Sequence, residues 1–538
     1  MKKFFLFLSC IVGVIQFASA QTIENGVLSG CNSVSGEYII PDEVVEIADY
    51  AFAFGNVTKV IFNSNTTKVG NLAFAYCPKL QEVIFPETCK IESFGQECFS
   101  NCEMLKIFHF PKSVKKIGDN FFFLCKSLSD IILPDNLDTI PKHMFQSCES
   151  LREISLPISL NVISNNAFAG CKNLDEINIP SVDSIATKAF IGCEALKYID
   201  FPDNLRAIAD SAFMRCERIK SLSLPKSLKY VGARITRKCY KLEKFIVDKN
   251  NPYFIDLDGV LYSKDKSVLY ECPAAYKNDS FVIPNEVKTL YPGCFFECDF
   301  IKEVTIPQTI EKIGVQSLCN NGMQRFIFNG NDIYQLIDEG LFCMKGQLPI
   351  QLLAYPSKGE KEKFRIPDTA SEIASYALVG NNHLKEIFIP TSIELLDTCA
   401  IMDMDHLTDI FIAKNTPPTT REGNFSGIRQ PDVKCHIPKS SMEKYIVDGL
   451  WQYFSLYEDE KVVESANTID KLSSIIYMSP SDKLYIAHPT HVLIFDSSGH
   501  KVFSNKATRS GEVIDLSFLP HGVYIAVDNR GTRYRFIR

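Results

Sequence analysis

Residues 134–156 read PDNLDTIPKHMFQSCESLREISL, and residues 157–179 read PISLNVISNNAFAGCKNLDEINI. Aligned on their first residue, the two stretches share Pro134 with Pro157, Ile140 with Ile163, Phe145 with Phe168, Cys148 with Cys171 and Leu151 with Leu174. Each ends in an alternating run, Glu153-Ile154-Ser155-Leu156 and Glu176-Ile177-Asn178-Ile179, that leads into the next Pro. Working outward, an apolar residue precedes Pro at 41, 86, 111, 134, 157, 180, 202, 225, 284, 307, 367 and 390, and from Pro111 to Pro225 the steps are 23, 23, 23, 22 and 23. Asn63 holds the same register between Pro41 and Pro86. The aromatic recurs as Phe52, Phe74, Phe122, Phe145, Phe168, Phe190, Phe213 and Phe295.

A unit this short cannot bury its apolar side alone, so successive units must stack as the coils of a solenoid, each contacting its neighbours. Period-two alternation sends Ile154 and Leu156 inward and Glu153 and Ser155 outward. Pro, lacking an N–H, ends the strand. A second apolar pair such as Val114 and Ile117 follows before the Phe enters the core.

The Cys column predicts hydrogen bonding. A coil turning inside a solenoid buries backbone polar groups that need partners, and a small polar side chain at the same place in every turn supplies them. Cys77, Cys102, Cys125, Cys148, Cys171, Cys193, Cys216, Cys239 and Cys298 occupy the position, with Asn321 and Asn381 in later units. Stacked strands lie ~4.8 Å apart, whereas a disulfide needs Cβ atoms at ~3.8 Å. The column therefore reads as buried reduced thiols rather than a disulfide ladder. Its spacing also lacks the paired cysteines of zinc sites.

The chain of 538 residues is 46% apolar and 22% charged, which is ordinary for a folded protein. Its net charge of −7 disfavours general nucleic-acid binding. Lys2 and Lys3, an apolar run from Phe4 to Phe17 and Ala18-Ser19-Ala20 predict a secretory signal peptide over residues 1–20. Cys10 leaves a lipoprotein leader as the other reading. No later stretch has the ~18 apolar residues of a membrane helix, so the mature chain is expected to be exported without a membrane span, secreted or attached to the outer surface.

The repeated strand, Ile-Pro, Ile-Gly, Ala-Phe, Cys and Leu positions resemble the BspA-like leucine-rich repeats of bacterial surface proteins over about residues 38–460. The fold class expected is a leucine-rich repeat solenoid spanning 21–460, followed by a small all-β sandwich. Two steps, Pro225 to Pro284 and Pro307 to Pro367, exceed the period. They contain FIDLDGVLY at 254–262 and YQLIDEGLF at 334–342, and Asp-Gly or Glu-Gly between apolar strands signals a hairpin. Inserted hairpins are thus expected at about 248–280 and 328–363. Asp256 and Asp258 fit such a turn better than a calcium site. Ile437-Pro438-Lys439, Tyr445 and Trp451 are similar to the segment that closes arrays of this family, and a solenoid's last edge needs such a cap.

A polar stretch at 461–475 reads as a linker, and 476–538 as a β domain. Asp496 and Gly499, residues 516–524 (LSFLPHGVY) and the ending Arg535-Phe536-Ile537-Arg538 resemble the C-terminal sorting domain of type IX secretion cargo in Bacteroidetes. The resemblance implies secretion machinery as a partner. Tyr477-Met478-Ser479-Pro480 departs from the usual Tyr-Pro-Asn-Pro start. An ordinary β domain is the other reading.

The chain shows no GxSxG, HExxH, P-loop or GxGxxG, and its nine His are scattered. No enzymatic activity, metal or cofactor is expected. The fold does offer area. Four residues before each Pro stand Glu82, Ile107, Asp130, Glu153, Glu176, Tyr198, Ser221, Glu303 and Glu386; two before stand Ile84, His109, Ile132, Ser155, Asn178, Asp200, Ser223, Thr305 and Phe388. This outward face is expected to bind an extracellular or cell-surface protein with a basic patch, with Ile84, Ile132, Tyr198 and Phe388 giving apolar contact. A solvated face whose like charges discourage aggregation is the competing reading. The resemblance implies adhesion, with host matrix among the candidate ligands; structural envelope protein and polysaccharide-binding accessory are the alternatives.

Overall fold

A computed structural model describes residues 21–319, 322–459, 475–478, 483–486, 491–496, 498–505, 512–527 and 533–537. The expected leader at 1–20, Asn321 and residues 461–474 of the expected linker lie outside the described residues. The chain divides into two compact units, 1–264 with 270–275 and 265–269 with 276–538.

In the first unit each coil contributes three walls. The strand before Pro forms a parallel sheet through Ser35–Ile39, Asn56–Ile61, Glu82–Ile84, Ile107–His109 and Asp130–Ile132, in the register that sets Lys59 beside Glu82 and Ile107 beside Asp130. Where the strand ends, the Pro157 carbonyl accepts the Leu160 N–H at 3.1 Å and closes a turn. Asn63 closes the same corner with its side chain, donating to the Val44 carbonyl at 2.9 Å and accepting from Thr66 N at 2.7 Å.

The second wall is also built of strands. Two-residue strands Thr139–Ile140, Val162–Ile163, Ser184–Ile185, Ala207–Ile208 and Tyr230–Val231 pair in parallel, burying the Ile or Val column. Too short for alternation to show, they read in the sequence only as an apolar pair. Coils approach closely here: a Cβ added at Gly118 would lie 2.4 Å from the Gln96 nitrogen.

The third wall is a turn held by its neighbour. The N–H groups of Asn120, Phe122 and Leu124 donate to the carbonyls of Lys142, Met144 and Gln146 at 2.8–2.9 Å. Asn120 and Leu124 adopt φ of 58° and 63°, a conformation costing ~1–2 kcal/mol in a non-glycine residue. The inter-coil hydrogen bonds offset that strain.

The Phe carbonyl of this turn points inward and meets the Cys ladder. Each thiol of Cys77, Cys102, Cys125, Cys148, Cys171, Cys193, Cys216 and Cys239 donates to the Phe carbonyl one coil back at 3.0–3.4 Å. All eighteen cysteines from Cys31 to Cys435 are free thiols. Burial pushes the Cys125 thiol up to about 12 and those of Cys148, Cys193 and Cys216 well above their usual range. Asn381 performs the same service in the second unit, donating to the Pro356 carbonyl at 2.7 Å while accepting from Leu384 N at 2.7 Å. The Cys298 Sγ lies 4.0 Å from the Phe296 carbonyl of its own coil.

One expectation needs correction. The outward runs at 153–156 and 176–179 are not continuous strands; isolated bridges join Ser155 to Asn178 and Asn178 to Asp200. Asn178 and Asp200 are poor strand formers whose side chains compete for backbone hydrogen bonds, whereas Ile84 and Ile132 hold the ladder on the N-terminal side. The inward burial of Ile154 and Leu156 survives.

Both long steps hold antiparallel hairpins. In the first, Phe254–Leu257 pairs with Val260–Ser263, and Asp258 and Gly259 both have positive φ, as a type I′ turn demands. Asp256 Oδ1 accepts the Val247 N–H at 2.7 Å. In the second, Tyr334–Ile337 pairs with Gly340–Lys345, and the positive-φ residues are Asp338 and Glu339. Gly340 is therefore a strand residue rather than the expected turn residue. Close packing explains it, since an added Cβ would lie 2.9 Å from the Phe342 ring.

In the second unit the parallel sheet runs Lys363–Arg365, Glu386–Ile389, Asp409–Ile412, Lys434–Ile437 and Ser455–Glu458. Tyr445 and Trp451 are fully buried under its end, with Tyr445 Oη donating to the Lys414 carbonyl at 2.8 Å. Beyond lie two antiparallel sheets, of three and four strands, around Leu484, Val492, Ile494, Leu516, Tyr524 and Ala526. Asp496 Oδ1 accepts the Ser498 and His500 N–H groups, and Tyr524 Oη donates to the Pro520 carbonyl at 2.7 Å.

Candidate functional site

The outward face of the strand wall carries the residues singled out in the sequence. In the first unit, Glu82, Ile107 and Asp130 fall in one column, and Ile84 and Ile132 in a second that continues to Ile61 and Ile39. Ile39 and Ile61 stand two residues before Pro41 and Asn63, so the register itself could have identified them. Exposure reaches 64% at Ile39, 54% at Ile132, 46% at Tyr198 and 41% at Ile107, while Ile84 is half-buried.

The acids of the face are mostly engaged by neighbours one coil away. Glu82 pairs with Lys59 at 3.4 Å, and Asp130 lies 3.1 Å from His109 Nε2. The Tyr198 hydroxyl donates to Glu176 at 2.7 Å, which raises the Tyr198 pKa. In the second unit Glu303 pairs with Arg325 at 2.7 Å and Glu386 with Lys363 at 2.9 Å. Glu153 is exposed and has no ion-pair partner among the described residues. The face is thus less acidic than its column of carboxylates reads, because the repeat spacing brings a Lys or Arg from the adjacent coil to three of the six, Glu82, Glu303 and Glu386.

The second unit adds a feature absent from the sequence reading. Arg365, Phe388, Phe411, His436 and Tyr457 are cross-strand neighbours in one outward column. Phe388 stacks on Phe411 at 4.6 Å, and Phe411 on His436 at 4.3 Å. His436 Nε2 lies 2.8 Å from Asp409 Oδ1 and its Nδ1 3.4 Å from Asp459. Burial works against ionisation of Asp409, yet hydrogen bonds involving His436 and Thr408 hold its carboxyl below the usual range. His436 stands two residues before Pro438 and was readable; Phe411 and Tyr457 have no Pro to mark them.

Among the described residues no group of three or more His, Cys, Asp or Glu is placed to hold a metal ion. Nor is any described helix long and apolar enough to cross a membrane.

A family model described as BspA type leucine rich repeat region matches residues 4–128, 77–196, 138–256, 266–351 and 349–431. No curated protein matches the chain. Among solved structures, a leucine-rich repeat protein from Bacteroides ovatus is 20% identical, covering 83% of this chain and 100% of its own, with a TM-score of 0.36. A leucine rich cell surface protein from Faecalibacterium prausnitzii is 18% identical, covering 70% and 87%, with a TM-score of 0.39. The leucine rich repeat protein of T. pallidum is 26% identical, covering 33% and 84%, with a TM-score of 0.29.

Proposed function

The chain belongs to the BspA-type leucine-rich repeat family, and from that premise we propose that it is a secreted or surface-attached, non-catalytic adhesion protein that binds an extracellular protein through its outward sheet face. The supporting observation is the exposed isoleucine column, Ile39 at 64% and Ile132 at 54%, on a sheet whose acids are largely engaged by neighbouring side chains. Apolar contact then supplies affinity, and the residual acids, Glu153 foremost, steer approach of a partner with basic groups. Matrix proteins of a host are candidate partners. A polysaccharide is a poorer fit. Sugar stacking uses ring faces, and those of Phe388, Phe411 and His436 are taken up by one another.

Export runs through a signal peptide at 1–20, and 476–538 serves as a type IX sorting domain docking on secretion machinery. Retention of producing cells on immobilised matrix proteins tests both parts. Ile84→Asp with Ile132→Asp is expected to reduce retention at least tenfold, and unchanged retention removes the apolar face from the reading. Deleting 476–538 is expected to keep the chain from the cell exterior; normal export would remove the sorting assignment.

A further inference from the structure

We propose that the second inserted hairpin carries a binding site for a small carboxylate anion, in the position that a protein carboxylate fills at the first. At the first hairpin the array is interrupted after the turn that starts at Gly232, so this turn lacks the usual next coil to accept its N–H groups. Glu271 takes that part. Its Oε2 accepts the Ile235 N–H at 2.9 Å, and its Oε1 accepts the Thr236 N–H at 2.9 Å and the Thr236 hydroxyl. The side chain is buried, and that burial, opposed by these hydrogen bonds, pushes the carboxyl up to about 7.

The second interruption repeats the backbone arrangement but offers fewer donors: the Ser317 N–H, at the place of Ile235, already donates to the Gly314 carbonyl at 3.1 Å, and Leu318 has no hydroxyl where Thr236 has one. Gly314 corresponds to Gly232, and Gln316 to Arg234, both with positive φ. Leu318 therefore stands where Thr236 does. On the returning strand, Leu269 pairs with Leu290, and Leu352 pairs with Ile373. Two residues further on come Glu271 in one case and Ala354 in the other. Ala354 has no group to offer. Leu318 is 3% exposed, and its N–H has no partner among the described residues. A buried N–H without a protein acceptor calls for a partner from outside the chain, water or a ligand.

The space beside it is a cleft of about 180 Å³ lined by Leu318, Ala354, Ser317, Leu353 and Ser375, among others. Asp397, the acid on its wall, is engaged by the Ser375 hydroxyl at 2.6 Å and by Arg421 at 3.1 Å. The volume admits acetate or a homologue with a short aliphatic tail, its carboxylate accepting from Leu318 N and its tail against Leu353 and Ala374.

Thermal unfolding of the full chain in sodium acetate, against sodium chloride at equal ionic strength, tests the site. The wild type is expected to show a saturable rise in Tm specific to acetate, since a ligand bound only to the folded state stabilises it. Ala354→Glu is expected to raise Tm without acetate and to abolish the response. Ala354→Leu fills the cleft without a carboxylate and should abolish the response while leaving the orphaned N–H unpaired. Line broadening of isotope-labelled acetate reads binding directly in any variant that folds. Equal shifts in acetate and chloride, or an acetate response that persists in Ala354→Leu, would overturn the proposal.

Discussion

Phe168 is fully buried between Phe145 and Phe190, with ring centroids 5.2 Å from each. Phe168→Ala opens a cavity that neighbouring coils cannot close and should cost ~3–5 kcal/mol. Ser155→Ala, on the exposed outward column, should fall within about ±0.5 kcal/mol. Chemical unfolding of the two variants checks the assignment of faces, and equal losses would contradict it. The inward Phe and Cys positions were legible because each recurs in register and has one physical use. That Cys and Asn exchange at one position follows from the burial of a carbonyl both can satisfy. The outward ion pairs were not legible, since Lys59 meets Glu82 only because one coil lies directly upon the next.

At the scale of the element, the hairpins were announced by Asp-Gly and Glu-Gly, but only the first turn sits where its sequence reads. A turn is fixed by strand register, and Phe342 packing draws Gly340 into the strand. The two-residue strands of the second wall are not legible in the sequence because each gains its pairing from the coils on either side rather than from its own length. Glu271 belongs to the same class of hidden feature. Glu271→Gln replaces one acceptor oxygen by a donor facing an N–H and should cost about 1–3 kcal/mol, read as a lower denaturation midpoint. An unchanged midpoint would show that the carboxylate does not complete the interrupted turn.

For the whole molecule, the thiol file makes stability depend on pH. A thiol titrates near 9 when unfolded, and Cys125 is held up to about 12 when folded. Below pH 9 both states keep the proton and the full stability is present. Between pH 9 and about 12 the unfolded chain sheds protons that the folded chain retains, so each such thiol withdraws up to ~1.4 kcal/mol per pH unit. With several thiols in file, Tm is expected to fall steeply above pH 9, and at pH 8 the file should not react with a thiol reagent until denaturant is added. A flat Tm from pH 8 to 11 would mean the thiols are not sealed inside. The sequence by itself determined the repeat, its inward and outward faces and the chemistry of each interior slot, because stacking requires the same residue type at the same place in every coil. Only the tertiary structure decided which charges cancel, which rings stack into an outward column and which N–H finds no acceptor among the described residues. Those outcomes depend on what the adjacent coil places within a few ångströms, and no single repeat contains that information.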